Sequence, residues 1–156
     1  MSTNTNETTI EIPGYSELVA MMEAAKQRVK DEGAKACSAL FKTFFSKNPE
    51  VTAVGWQQYT PYFNDGDACE FSVREFHVCT RTGLDFESIG CLSDEDDEGP
   101  IFRDRDGLGD DVGALKASIG WLARAADDDI FEASFGDHAM VIATPAGFHV
   151  NSYSHD

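Results

Sequence analysis

Residues 51–60 read VTAVGWQQYT, a run rich in the β-branched and aromatic side chains that favour β-strands. Alternate side chains of an extended chain point the same way, so Val54 and Trp56 share one face. A second run, CEFSVREFHVCT at residues 69–80, is the clearest strand in the chain. Because the two runs are close in sequence, we predict that they pair in antiparallel fashion.

The alternation within the second run changes parity. Phe71 and Val73 alternate on one face, whereas Phe76 and Val78 follow on the other. A strand has a period of two, so this slip predicts either a β-bulge near residues 74–75 or a switch of the buried face.

Helical periodicity predicts two main helices. The first opens in PGYSEL, where Ser16 is the expected N-cap, and it stops at Asn48-Pro49. Gly33 is expected to bend or split this helix, because glycine weakens a helix interior. Its apolar stripe consists of Leu18, Met22, Ala25, Val29, Ala36, Leu40 and Phe44. The second helix is expected to begin at residue 110 or 111, with Val112, Leu115, Ile119, Leu122 and Ala126 on one face.

Three further segments complete the expected architecture. DDDIFEASFG predicts a short helix that Gly136 ends, HAMVIATPAGFHVNSY predicts a hairpin, and GLDFESIGCL predicts a short third strand. The sequence therefore predicts an α+β fold, with an antiparallel sheet of about four to five strands (two hairpins) packed against two main helices. Residues 14–156 are expected to form a single domain after a flexible N-terminal tail at residues 1–13.

The formal net charge of −16 is the strongest signal in the composition, and it is unevenly placed. Residues 1–47 carry six acids and six bases, whereas residues 48–156 carry the whole excess. The segment at residues 93–111 is rich in Asp and Gly and is predicted to form an acidic surface loop. Such a charge repels phosphates and anionic membranes and attracts basic partners, which argues against direct nucleic-acid binding.

No apolar run approaches the ~20 residues that a membrane helix needs, and the N-terminus has neither region of a signal peptide. A cytoplasmic location is therefore expected. Reduced, mostly buried thiols are then predicted for Cys37, Cys69, Cys79 and Cys91. Three of these cysteines could bind zinc together with His77, although their spacing matches no common zinc module.

The run WQQYTPYFNDGD, residues 56–67, ends the first predicted strand and leads towards the second. Pro61 cannot donate a ladder hydrogen bond and the Asp-Gly step beyond it favours a turn, so a hairpin corner is predicted. A bare turn does not need Tyr59 and Tyr62. Either these tyrosines pack into the core, or they form an exposed patch rimmed by Asp65 and Asp67, which is the usual make-up of a binding hot spot.

The acidic segment contains one further pattern. Asp94, Asp96 and Glu98 follow the spacing that opens an EF-hand calcium loop, but the twelfth position, which needs a bidentate Glu, is Arg105. A solvated acidic surface is the favoured interpretation. No nucleophile or general base stands in a recognisable motif, so no catalytic residue is predicted.

The W-x-Q-Y-T-P-Y-F-N-D-G-D segment, the downstream FSV and the closing FGDHAMV and SHD resemble segments of uncharacterised small acidic proteins encoded by bacteriophages and some bacteria. The resemblance covers the middle strand pair and the C-terminus. It supplies no activity and no catalytic residue, and it implies that the protein binds a host protein in the host cytoplasm.

The leading interpretation is an interaction protein that binds, and inhibits or modulates, a host protein with a basic surface, through carboxylates that imitate nucleic-acid phosphates. The alternative is a metal- or small-ligand-binding domain, which could be enzymatic, centred on Asp65, Asp67 and residues 94–98. No cofactor is expected. The predicted partner-binding residues are Tyr59, Tyr62, Asp65, Asp67, Asp94, Glu95, Asp96, Asp97 and Glu98.

Overall fold

The computed structural model describes residues 15–62, 66, 69–109 and 111–153; the predicted tail at residues 1–13 lies outside them. The described residues form three helices, α1 (Tyr15–Lys47), α2 (Gly113–Ala125) and α3 (Asp128–Phe135). They also form the strands β1 (Ala53–Tyr59), β2 (Ser72–Val73), β3 (His77–Cys79), β4 (Glu95–Asp96), β5 (Gly99–Pro100), β6 (Arg103–Asp104), β7 (Ala139–Thr144) and β8 (Gly147–Ser152).

One antiparallel sheet organises these elements. Its strand order is β6-β3-β1-β7-β8, and β2 pairs with the C-terminal end of β1 on the same side as β3. Strands β4 and β5 form a separate two-stranded sheet. The α+β class, the antiparallel partner of the first strand and the C-terminal hairpin of β7 and β8 are thus confirmed.

The predicted bulge is also confirmed. Gln58 pairs with Val73, and Gly55 pairs with His77. Three residue steps on β1 therefore face four steps on its partner, so one extra residue lies between β2 and β3. This insertion explains why the alternation changes parity there.

Several predicted helix boundaries are confirmed. α1 ends at Lys47, where the Asn48 side chain donates to the Phe44 carbonyl at 3.0 Å. α3 begins after the cap Asp127 and ends at Gly136, whose φ of 92° suits glycine.

Three expectations are wrong. Ser16 is not an N-cap, because α1 already includes Tyr15. Gly33 does not split α1, which runs without a break from Tyr15 to Lys47. It lets α3 come close, since a Cβ there would lie 3.1 Å from a methyl of Ile130. The GLDFESIGCL segment forms no strand but a 3-10 turn at Phe86–Ser88, because Asp85 caps the backbone at Glu87.

The main core lies between the sheet and the helices. Its centre is aromatic: the rings of Phe41 and Trp56 stack at 5.0 Å, with Phe131 beside both. Val54 and Trp56 face this core together, as their shared parity predicts. No helix within the described ranges combines the length and the apolar composition needed to cross a membrane.

The opposite face of the sheet is covered by the segment that runs from Leu84 to Phe102. Ile89, Leu92, Ile101 and Phe102 form a second buried cluster on it with residues of β1, β3 and β7. The acidic segment at residues 93–111 thus carries short strands and contributes core side chains, in addition to its exposed carboxylates.

Gly55 allows this covering segment to reach β1. A Cβ on Gly55 would lie 2.5 Å from Leu92 Cδ2 and 3.3 Å from Phe102 Cε1, and all three residues are buried. We therefore expect Gly55→Ala to lower the free energy of unfolding by about 1–3 kcal/mol through overpacking. Chemical denaturation measures this change.

Gly90→Ala is the matched control, because a Cβ there would meet nothing within 4 Å. It should be neutral or stabilise by up to about 1 kcal/mol. Leu92→Ala should offset part of the Gly55→Ala loss when the two are combined. Additive losses in the double variant would contradict the proposed contact.

Candidate functional site

The predicted tyrosines lie where β1 ends, in a group that we call the aromatic corner: Tyr59, Tyr62, His138 and Tyr153. Tyr59 is half-buried. Its ring centroid lies 5.5 Å from the ring centroid of Tyr153 and 4.4 Å from the Arg74 guanidinium. Tyr62 is 65% exposed and stacks on His138 at 5.0 Å. Each of the two alternatives for the tyrosines, packing or exposure, therefore holds for one of them: Tyr59 packs, and Tyr62 presents its ring to solvent.

Asp137 holds the aromatic corner in place. Its carboxylate accepts the backbone N–H and the hydroxyl of Thr60, both at 2.8 Å. It also accepts the backbone N–H of His138, which has a φ of 53° that side-chain-bearing residues rarely adopt. Burial acts to raise the pKa of Asp137, but the hydrogen bonds from Thr60 and His138 outweigh it and leave the pKa lowered.

Gln58 fastens this end of β1 to α3. Its side chain is fully buried; the amide oxygen accepts from the Trp56 indole at 2.8 Å. The amide nitrogen donates to the carbonyls of Phe131 and Gly136 at 2.9 and 2.7 Å. The signal for this role was its parity, because Gln58 shares the buried face of Val54 and Trp56.

A depression of about 600 Å³ with acidic walls lies at the same end of the sheet. Within it, Asp128 accepts the backbone N–H of Val73 on β2, and Val73 pairs with Gln58 on β1. α3 links the depression to the aromatic corner, a span of about 12 Å for its eight residues. The five carboxylates of this acidic depression belong to Glu70, Asp127, Asp128, Asp129 and Glu132.

Sequence reasoning missed this depression. The Asp127–Asp129 run was interpreted as a helix cap, and Asp127 does accept the Ile130 backbone N–H at 3.0 Å. Asp129 and Glu132 are exposed and have no such role in the hydrogen bonds of the described residues. The triplet of aspartates in one turn was the available signal.

The other predicted carboxylates lie elsewhere. Residues 94–98 belong to the β4–β5 hairpin, where Arg81 pairs with Asp96 and, at 3.6 Å, with Glu98. Arg81 follows β3 at the opposite end of β1, about 20 Å from Tyr59 for six strand residues. The structure therefore does not bring the hairpin carboxylates and the tyrosines together. Asp65 and Asp67 lie outside the described residues.

The hairpin carboxylates point at different partners. Asp94 accepts from the Cys91 thiol at 3.0 Å and from the Gly90 backbone, and the thiol hydrogen bond in particular lowers the pKa of Asp94. The Arg81 guanidinium lowers the pKa of Asp96. In the part of the chain that the structure describes, no three His, Cys, Asp or Glu side chains are grouped to hold a metal ion.

A separate cavity of about 560 Å³ lies where the covering segment meets β1, β3 and β6. Its polar walls include His77, Cys91, Arg103 and Asp104. Asp104 also caps a 3-10 turn by accepting the Gly107 backbone N–H at 2.8 Å. The cavity is large enough for a small ligand, and its mixed charges single out no ligand class.

Comparison of the chain with known protein families, with curated proteins and with solved structures finds no significant match.

Calcium titration tests the EF-hand spacing. Because Asp94 is bonded to Cys91 and Asp96 to Arg81, we expect no saturable heat that survives moderate salt in isothermal calorimetry. Saturable binding that persists at 0.3 M salt and disappears in Asp94→Asn would show that the hairpin rearranges around the ion.

Asp137→Asn tests the clamp on the aromatic corner. The lowered pKa means that the carboxylate stabilises the fold fully above its ordinary pKa of about 3.9 and loses this effect as the pH falls through the lower folded value. At pH 7 we expect a loss of roughly 1 kcal/mol, discounted because the carboxylate is a third exposed. Denaturation at pH 7 and pH 3 should show this loss shrinking in acid. An equal loss at both pH values would contradict the role of the ionised form.

Proposed function

We propose that the protein binds a basic segment of another protein at the surface formed by the aromatic corner and the acidic depression. The exposed ring of Tyr62 and the five carboxylates at the other end of α3 carry the proposal. Among the described residues, none of these five carboxylates forms an ion pair. Their charge is therefore available to a partner.

The chemistry of the two halves is complementary to lysine and arginine. An aromatic face attracts a cation or the aliphatic stem of a basic side chain, and carboxylates bind guanidinium groups through charge-assisted hydrogen bonds. Tyr62 rests on His138, so its ring is supported and loses little freedom on binding. The net charge of −16 would speed the encounter with a basic surface more than it would strengthen the complex.

The β4–β5 hairpin suits this role less well. Arg81 already neutralises part of its charge through Asp96 and Glu98. Glu95 and Asp97 are exposed and extend the negative field at the far end of the sheet. We assign them to long-range attraction, whereas the acidic depression makes the contacts.

We infer the nature of the partner from the charge and from the resemblance to phage-type proteins. A host protein in the host cytoplasm whose basic surface normally holds nucleic acid is the partner that suits carboxylates in place of phosphates. Occupation of that surface would inhibit or modulate the host protein. The small-ligand alternative now centres on the cavity beside His77 and Cys91, because that cavity gathers polar groups of both charges.

Immobilised protein exposed to a bacterial lysate tests the proposal. The retained partner should elute as salt is raised, because contacts between exposed charges are screened. Tyr62→Ala should weaken binding of the purified partner about tenfold or more, within the range of a hot-spot residue. Asp129→Asn combined with Glu132→Gln should have a similar effect and a shallower salt dependence.

Asp97→Asn combined with Glu95→Gln is the matched control, since it removes the same charge from the far end of the sheet. It should change the affinity less than about threefold, as expected for rim charges. An equal loss in both double variants would mean that the net charge alone attracts the partner. If Tyr62→Ala bound the partner as tightly as the unaltered protein, the aromatic corner would not be part of the binding surface.

A further inference from the structure

The first half of α1 stands clear of the rest of the molecule. From Ser16 to Glu32 every side chain is exposed except that of Ala25, which is half-buried; the first buried residue is Gly33, against α3. These 17 residues span about 25 Å. Most helices in proteins are stabilised by packing an apolar face, and this part of α1 has no such packing among the described residues.

This projecting helix carries most of the large apolar side chains that the described residues expose. Five of them are 53–65% exposed: Leu18, Val19, Met21, Met22 and Val29. Leu18, Met22, Ala25 and Val29 follow the alternating spacing of four and three that places side chains on one coiled-coil face. A contiguous apolar face of this kind marks an interaction surface.

We propose that this face binds a second copy of the same chain, with the two projecting helices antiparallel. The pattern is self-complementary in that arrangement: Leu18 of one copy lies opposite Val29 of the other, and Met22 lies opposite Ala25. A large side chain thus faces a smaller one in every layer. Such a contact is isologous, so it closes as a two-fold dimer.

The charges favour the antiparallel arrangement. Glu17 and Arg28 lie on the same flank of the helix, and antiparallel pairing brings Glu17 of each copy next to Arg28 of the other. Residues 48–156 of each copy form an acidic body that carries the whole net charge. The two acidic bodies then lie at opposite ends of the helix pair. Their separation is about 28 Å between the two Gly33 positions, several times the Debye length of ~8 Å at physiological salt.

The same charges disfavour a parallel pair of helices. A parallel pair would place the two acidic bodies side by side, where like charges repel. The stem of Arg28 can also cover Met21 of the other copy while its charge stays in water. Since the buried area lies at the small end of the range for stable interfaces, about 1,200 Å² or less in total, we expect a dissociation constant in the micromolar range. The proposal is independent of the aromatic corner.

Sedimentation equilibrium of the full chain from about 1 to 500 µM tests the dimer over the range that such an interface predicts. We expect a monomer–dimer equilibrium. Met22→Glu should raise the dissociation constant at least about 100-fold by burying a charge, whereas Ala20→Glu, on the opposite side of the helix, should change it less than about threefold. A protein that stays monomeric, or a dimer that Met22→Glu leaves intact, would overturn the proposal.

Cysteine cross-linking tests the direction of the helices, with Cys69 and Cys91 replaced by serine. Leu18→Cys and Val29→Cys proteins should form a mixed disulfide dimer under mild oxidation when they are combined, and neither should cross-link alone. The reverse result would indicate parallel helices and contradict the antiparallel dimer. If deletion of residues 1–14 created the dimer, those residues would be the occupant and the proposal would be wrong.

Discussion

The buried amide of Gln58 is the interaction on which the end of the molecule that carries the aromatic corner depends. It occupies the central strand, accepts from the Trp56 indole and donates to two carbonyls at the end of α3. A buried amide without partners costs several kcal/mol at most sites, so this position is favourable only when all three bonds form together. The Gly136 carbonyl is one of these acceptors. Asp137 and His138 follow Gly136 in the sequence, so they are held beside Thr60 and Tyr62.

The central strand is also constrained by burial on both of its faces. The aromatic core under the helices requires Trp56 and Val54 on one face, and the covering segment requires the small residues Ala53 and Gly55 on the other. The second requirement explains how a strongly acidic segment can also be structural. Its Ile101 and Phe102 point inward, and its carboxylates lie on the outside of the β4–β5 hairpin.

Local patterns in the sequence predicted much of the fold. Alternation predicted β1 and its antiparallel partner, the change of parity predicted the bulge, and turn residues predicted the C-terminal hairpin and the end of α3. The short strands β4, β5 and β6 were not predictable, because two-residue strands have no period. Arg81 pairs with the β4–β5 hairpin and β3 pairs with β6, and these distant contacts fix their positions. The acidic depression was missed for a related reason: Glu70 and Asp128 are far apart in sequence, and the Val73–Asp128 hydrogen bond joins them across the fold. Tyr62 was predicted to be a site residue because no turn needs its ring; the structure shows the ring exposed, and its role stays a prediction.

The pairing of β1 with β7 affects how the chain folds while the ribosome synthesises it. Val54 pairs with Ala143 and Gln58 with Ala139, so 81 to 89 residues separate the partners along the chain. At about 5–20 residues per second, a ribosome needs roughly 4–18 s to synthesise the partner after β1 has emerged. During that interval the apolar faces and one hydrogen-bonding edge of the central strand have no final partner, which is the state in which nascent chains aggregate or engage chaperones. The high sequence separation also makes this pairing a slow step. The strong negative charge of the later part of the chain, which repels neighbouring nascent copies, would protect it while the sheet is incomplete.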